Sequence, residues 1–257
     1  MIFNVGDLVS RNSYNNDIVF KVIKIENDKA FLKGVEVRLL ADAPVSDLKP
    51  FKDSIEEDFN VEFSSLTGNR NDEFFYLPGK ILHLDGDGEY LDTCLNFYKS
   101  KKVYAIGKKI KEENISNQLP FLLKEYRPDI LVITGHDAYY KKTGKENDLN
   151  SYKNSKNFVN AVKVARKYEK SHEKLVIIAG ACQSNYEELI KAGANYASSP
   201  KRINIHALDP AIIATYVAIT ERNKQIDLID LLNKTKYGPD GIGGLMGNGL
   251  MYVGFPR

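Results

Sequence analysis

Leu175-Val176-Ile177-Ile178-Ala179-Gly180-Ala181-Cys182-Gln183-Ser184 is the stretch that decides the fold. An uncharged apolar run stops abruptly at small residues, a thiol and polar residues. Ile130-Leu131-Val132-Ile133-Thr134-Gly135-His136-Asp137 repeats the pattern upstream. Short apolar runs bounded by turn residues read as strands buried on both faces, and such strands belong to parallel sheets covered by helices. One run delivers an imidazole just past its end, the other a thiol.

Outward from these two strands the same alternation continues. Lys80-Ile81-Leu82-His83-Leu84 is a strand leading into Asp85-Gly86-Asp87-Gly88, followed by a helix over 90–99. Lys102-Val103-Tyr104-Ala105-Ile106 is a strand, and 115–126 a helix. Phe158, Val159, Val162, Ala165 and Tyr168 recur at helical spacing, so 155–170 is an amphipathic helix. Ser184 with Glu187 three residues on has the form of a capping box and predicts a helix start there. Residues 195–197 and 203–206 are short strand candidates, Pro210 opens a helix to 220, and 226–232 is another. Leu250-Met251-Tyr252-Val253 is a last strand candidate. The fold class expected for 79–257 is α/β, a mostly parallel sheet sandwiched by helices.

Residues 1–50 differ. Ile18 to Ile25 is rich in β-branched residues, Asn27-Asp28-Lys29 has hairpin-turn chemistry, and Ala30 to Leu39 continues a meander. This predicts a small SH3- or Tudor-like β-barrel with a docking or structural role. Residues 51–78, acidic and then rich in Ser, Gly and Asn, read as a linker, with Arg70 in its middle as a place where a peptidase can cut itself.

Composition narrows the function classes. The 257 residues are 43% hydrophobic and 27% charged with a net charge of +2, so no nucleic-acid partner is indicated. The N-terminus lacks the basic start and apolar run of a signal peptide. No apolar segment nears the roughly 20 residues that span a bilayer, so no membrane partner is expected. Two cysteines make a poor disulfide framework, and a cytoplasmic location with reduced thiols follows.

In open parallel sheets the site lies beyond the carboxyl ends of the strands, where Asp85, Asp87, His136 and Cys182 all fall. An imidazole can take a thiol's proton and release a thiolate that attacks a carbonyl. A helix start after Cys182 favours the thiolate, and the Cys182 N–H is placed to hold an oxyanion. His206 is the rival base; His83 reads as a core residue, His172 as exposed, and Cys94 as packing. The Asp85–Asp87 loop fails the calcium template, because Tyr90 and Asn96 stand at the sixth and twelfth positions. It is either a binder of a cationic side chain or a polar turn. Gly241 to Gly249 lacks the ending of a phosphate loop. No metal and no cofactor is expected.

An apolar strand ending in Gly135-His136 paired with one ending in Ala181-Cys182 resembles the caspase-like cysteine peptidases. The separation is close to the roughly 50 residues noted for caspases, and Ala181-Cys182-Gln183 matches the centre of their signature. Asp137 stands where those enzymes usually have glycine. Gly6-Asp7-Leu8-Val9, Leu84-Asp85-Gly86-Asp87-Gly88, Ile133 to Asp137 and Ala179 to Ser184 together resemble the YabG sporulation peptidases across nearly the whole chain. The resemblance implies a cysteine endopeptidase acting during sporulation on spore coat and related proteins, cutting after arginine and able to process itself. It implies Cys182 and His136 as catalytic residues and backbone N–H groups of Cys182 and Asp137 at the oxyanion. Asp85 or Asp87 would read the substrate arginine, with Asp209 next in line. The readings from other classes are a non-catalytic spore-coat scaffold and a cysteine-dependent small-molecule amidase.

Overall fold

A computed structural model describes residues 3–51, 73–141 and 144–256. The chain divides into two compact units, 1–60 and 61–257. The Arg70 expectation lies outside the described residues, as does most of the linker.

The first unit contains β1 (Leu8–Arg11), β2 (Phe20–Glu26), β3 (Lys29–Gly34), β4 (Leu40–Pro44) and β5 (Leu48–Pro50), in the antiparallel order β4-β3-β2-β1-β5. Asn27 and Asp28 both take positive φ between β2 and β3, as a two-residue hairpin turn requires. Alternate residues of the strands, with Val9, Phe20, Val22, Ala30 and Leu32 at their centre, form the core. The strands form an open sheet and not the closed barrel expected from the sequence. Among the described residues no pairing joins the end strands β4 and β5, and the three-residue β5 already pairs with β1.

The second unit begins with β6 (Phe75–Leu77), a strand where the sequence suggested linker. Then follow β7 (Ile81–Asp85), α1 (Gly88–Ser100), β8 (Ala105–Lys109), α2 (Glu112–Tyr126) and β9 (Ile130–Thr134). α3 (Ser155–Tyr168), β10 (Val176–Ala179), α4 (Tyr186–Ala192), β11 (Tyr196–Ser198), α5 (Asp209–Ile219) and α6 (Leu228–Asn233) continue it. β12 (Ile242–Gly244) and β13 (Tyr252–Gly254) end the chain, and β13 pairs with β6. Residues 203–206, a strand candidate from sequence, form no strand. β-branched Ile203 and Ile205 suit them to one, but their backbone is engaged elsewhere, by Gln183 and Cys182.

The main sheet has the order β12-β11-β10-β9-β7-β8. Every pair is parallel except β11 with β12. Successive side chains point to opposite faces. Leu82, Leu84, Leu131, Ile133, Ile177 and Ala179 therefore face one layer, where they pack with Ile115, Leu119, Phe158 and Val162 of α2 and α3. The intervening residues, His83 and Asp85 among them, face the other layer, where His83 meets Tyr98 of α1. α5 is buried along its whole length and, apart from Asp209 at its start and Thr215, is apolar on every side, as suits a helix enclosed by protein.

The chain runs from β7 outward to β8 and returns across the sheet to β9. The order therefore reverses between β7 and β9, the position where such sheets open a crevice beyond their carboxyl ends.

Candidate active site

The three central strands stop in step. Asp85 pairs with Thr134, and Ala179 pairs with Ile133. Gly86 N donates to Thr134 O and Gly180 N to Ile133 O, so the sheet continues by one bond before the chains diverge. Asp87, His136 and Cys182 follow directly, on strands spaced about 4.8 Å apart. Gly180 makes the turn: its φ is +108°, a region closed to most side chains, and a Cβ there would stand 2.9 Å from Leu189.

His136 is held from several sides. Its Nε2 lies 3.0 Å from Asp87 Oδ2, and its ring meets the edge of Tyr90 at 5.7 Å between centroids. Beside an acceptor-only carboxylate that nitrogen carries the proton. Asp87 is held in turn, because its Oδ1 accepts the N–H groups of Glu89 and Tyr90 and caps α1. The backbone of His136 is equally fixed: its N–H donates to Glu112 Oε1 at 2.8 Å, and its carbonyl accepts from Asn154 Nδ2 at 2.8 Å. Glu112 fits between two glycines. A Cβ on either Gly86 or Gly135 would come within 2.3 Å of its Oε1.

Asp137 joins the imidazole loop to the thiol loop. Its buried carboxylate accepts from the N–H groups of Ala138 and Asn154 and from the hydroxyls of Ser155 and Ser184. Burial pushes the carboxyl above the ordinary range, and these four donors oppose that shift. Among the described residues the Asp137 N–H has no hydrogen-bond partner. Ser184 Oγ also accepts the Ala181 N–H at 2.9 Å. The serine expected to cap α4 is thus used within the thiol loop, and Asn185 caps the helix instead, accepting from Glu188 N at 3.1 Å.

Cys182 is fully buried, and its sulfur accepts the Ile205 N–H at 3.3 Å. His206, the rival base, is the next residue, but its Nδ1 accepts from Leu208 N at 3.2 Å. Its backbone N–H donates to Asp209. Asp209 is buried and accepts from His206 N and Lys236 N, so it joins two segments. Asp85 is buried too, accepting from Thr134 Oγ1 at 2.8 Å and from Asp87 N at 2.8 Å. Asp87, with 14% of its side chain exposed, is the most open of the three acids. His83 is a satisfied core residue between Tyr98 and Thr134, and Cys94 is buried in packing against the Ala207 carbonyl. His172 is exposed.

The sequence reading missed Glu112, Asn154 and Ser155. Their signal was positional: Glu112 opens the helix after β8 and Ser155 the helix after the imidazole loop, so helix starts face the same crevice. Among the described residues no group of three or more His, Cys, Asp or Glu is arranged to hold a metal. No helix among them is long and apolar enough to cross a membrane.

The model of the YabG peptidase U57 family matches residues 4–65 and 52–256. The sporulation-specific protease YabG of Bacillus subtilis (strain 168) is 43% identical over 286 aligned positions, which cover 100% of this chain and 99% of that protein.

Proposed function

Since the chain belongs to the YabG peptidase U57 family, we propose that it is a sporulation protease working as a cysteine endopeptidase of caspase-like type. The observation that carries this reading is the imidazole held by Asp87 at the end of β9, beside the strand that delivers Cys182. With Nε2 protonated toward Asp87, Nδ1 is the nitrogen that can act as base. His136 takes the thiol proton, and Sγ bonds to the substrate carbonyl carbon. The N–H groups of Cys182 and Asp137 hold the oxyanion. The C–N bond breaks as His136 passes its proton to the departing amine, leaving a thioester. Water then attacks the thioester, giving its proton to His136, and the thiol is released with the new carboxylate.

Proteins of the spore coat are the proposed substrates. Cleavage after arginine is proposed as well, with Asp87 the acid open enough to meet a guanidinium while still accepting from His136. A peptide reaches the sulfur only when the chain covering Cys182 moves aside. The N-terminal sheet is proposed as a docking module.

Mass spectrometry of wild type beside Cys182→Ala, each incubated with an arginine-containing coat protein, tests this. Wild type should yield fragments ending in arginine and Cys182→Ala none; cleavage by the variant defeats the assignment. His136→Ala should be inactive and His206→Ala active, and the reverse would make His206 the base.

A further inference from the structure

Gln183 follows the thiol and takes φ +57°, in the left-handed region that a residue with a side chain enters only at a cost. Four hydrogen bonds hold it there. Its backbone N–H is shared between Ile203 O and Ser199 Oγ, both at 3.0 Å, so the peptide between Cys182 and Gln183 is pinned to the loop after β11. Its side-chain Oε1 accepts from Tyr139 N at 3.2 Å, three residues beyond His136. Its Nε2 donates to Asn204 Oδ1 at 3.1 Å, next to the Ile205 N–H that meets the sulfur. One side chain thus spans the loop of the imidazole and the segment lying on the thiol, while its own backbone carries the turn that holds the thiol. Strained residues of this kind persist where the surroundings over-determine them, and they cluster at active sites.

We infer that Gln183 is a positioning residue for the reaction: its amide bridge and constrained backbone set the approach of the Cys182 sulfur to His136. This rests on the assignment of Cys182 and His136 made above. The Asp137 carboxylate ties the same loops at their buried side, so Gln183 supplies the second tie and prevents rotation about the first.

Gln183→Gly tests the bridge without backbone strain, because glycine adopts positive φ freely. On a peptide containing one arginine, kcat should fall by about tenfold or more while KM changes by less than about threefold, since misplacement by about an ångström costs rate more than binding. The rate of Cys182 alkylation by iodoacetamide, followed by mass spectrometry without substrate, should also change by at least about threefold, because thiol reactivity follows its surroundings. The melting temperature should stay near that of wild type. A variant with wild-type kcat and alkylation rate overturns the inference, and so does a kcat loss matched by loss of folded protein. Cys182→Ala is run beside it. An inactive Cys182→Ala with a fully active Gln183→Gly overturns the positioning role alone, whereas an active Cys182→Ala overturns both.

Discussion

Asp87 does two things with one carboxylate. Its Oδ1 caps α1 and its Oδ2 receives His136 Nε2, so the first turn of a helix and the orientation of the imidazole share a support. Asparagine caps helices about as well as aspartate but offers no charge to an imidazolium. In Asp87→Asn we expect kcat/KM to drop at least about tenfold, in line with the loss of a base-orienting carboxylate. The melting temperature should hardly move. Full activity in that variant, measured on an arginine-containing peptide, would remove Asp87 from the proposed machinery. Asp85 lies beneath it in a different role, buried and accepting from Thr134 and the Asp87 N–H. Neighbouring acids of the same loop thus divide into a support and a contact.

At the level of elements, the site is made by strand ends and helix starts meeting at the reversal of strand order. β7 and β9 part there, and the start of α2 closes the gap with Glu112. Gly86 and Gly135 are small because the Glu112 carboxylate passes between them. Gly135 has no positive φ, so alanine is compatible with its backbone, and the far end of Glu112 is what must move. Gly135→Ala should therefore detach Glu112 from the His136 N–H. Its activity should fall as far as that of Glu112→Ala, with little further loss in the double variant, because neighbouring changes that break one contact do not add. Additive losses measured across that cycle would show that the glycine and the glutamate act separately.

At the scale of the molecule, two units carry two cores that share no residue, one between the N-terminal strands and one under α2 and α3. In the larger unit the two site loops are knitted by one buried acid, and its titration enters the stability of that unit. Asp137 has its pKa raised, first by burial. A raised carboxyl holds its proton more tightly folded than unfolded. Its contribution to stability is complete below the unfolded value of about 3.9 and is lost as pH rises through the folded value. Asp137→Asn does not titrate. Wild type should therefore lose stability relative to this variant as pH rises from about 4 toward neutrality. Urea unfolding across that range measures it, and a difference that stays flat contradicts the raised value.

Much of this was legible in the chain. The apolar runs ending at Thr134 and Ala179 announced buried parallel strands, since their short length, their β-branched residues and the glycines that follow them separate them from buried helices. The βα alternation announced the layers, and the crevice rule brought Asp85, Asp87, His136 and Cys182 to one end of the sheet. Asn27-Asp28 announced its hairpin because backbone conformation there is a local property. Partner choice was not legible. Ser184 has the pattern of a cap, yet its hydroxyl is taken by Asp137 and Ala181, and the neighbouring Asn185 caps the helix. Glu112 lies 24 positions from the His136 N–H that it holds. Whether β4 and β5 pair depends on where two strand edges come to lie. The sequence by itself determined most of the strands and helices of the larger unit, though it missed β6 and offered a strand at 203–206 that does not form, because such elements follow largely from local propensity and hydrophobic period. Only the tertiary structure decided what each polar group at those ends touches, because a hydrogen bond is settled by positions in space that residues distant in the chain share.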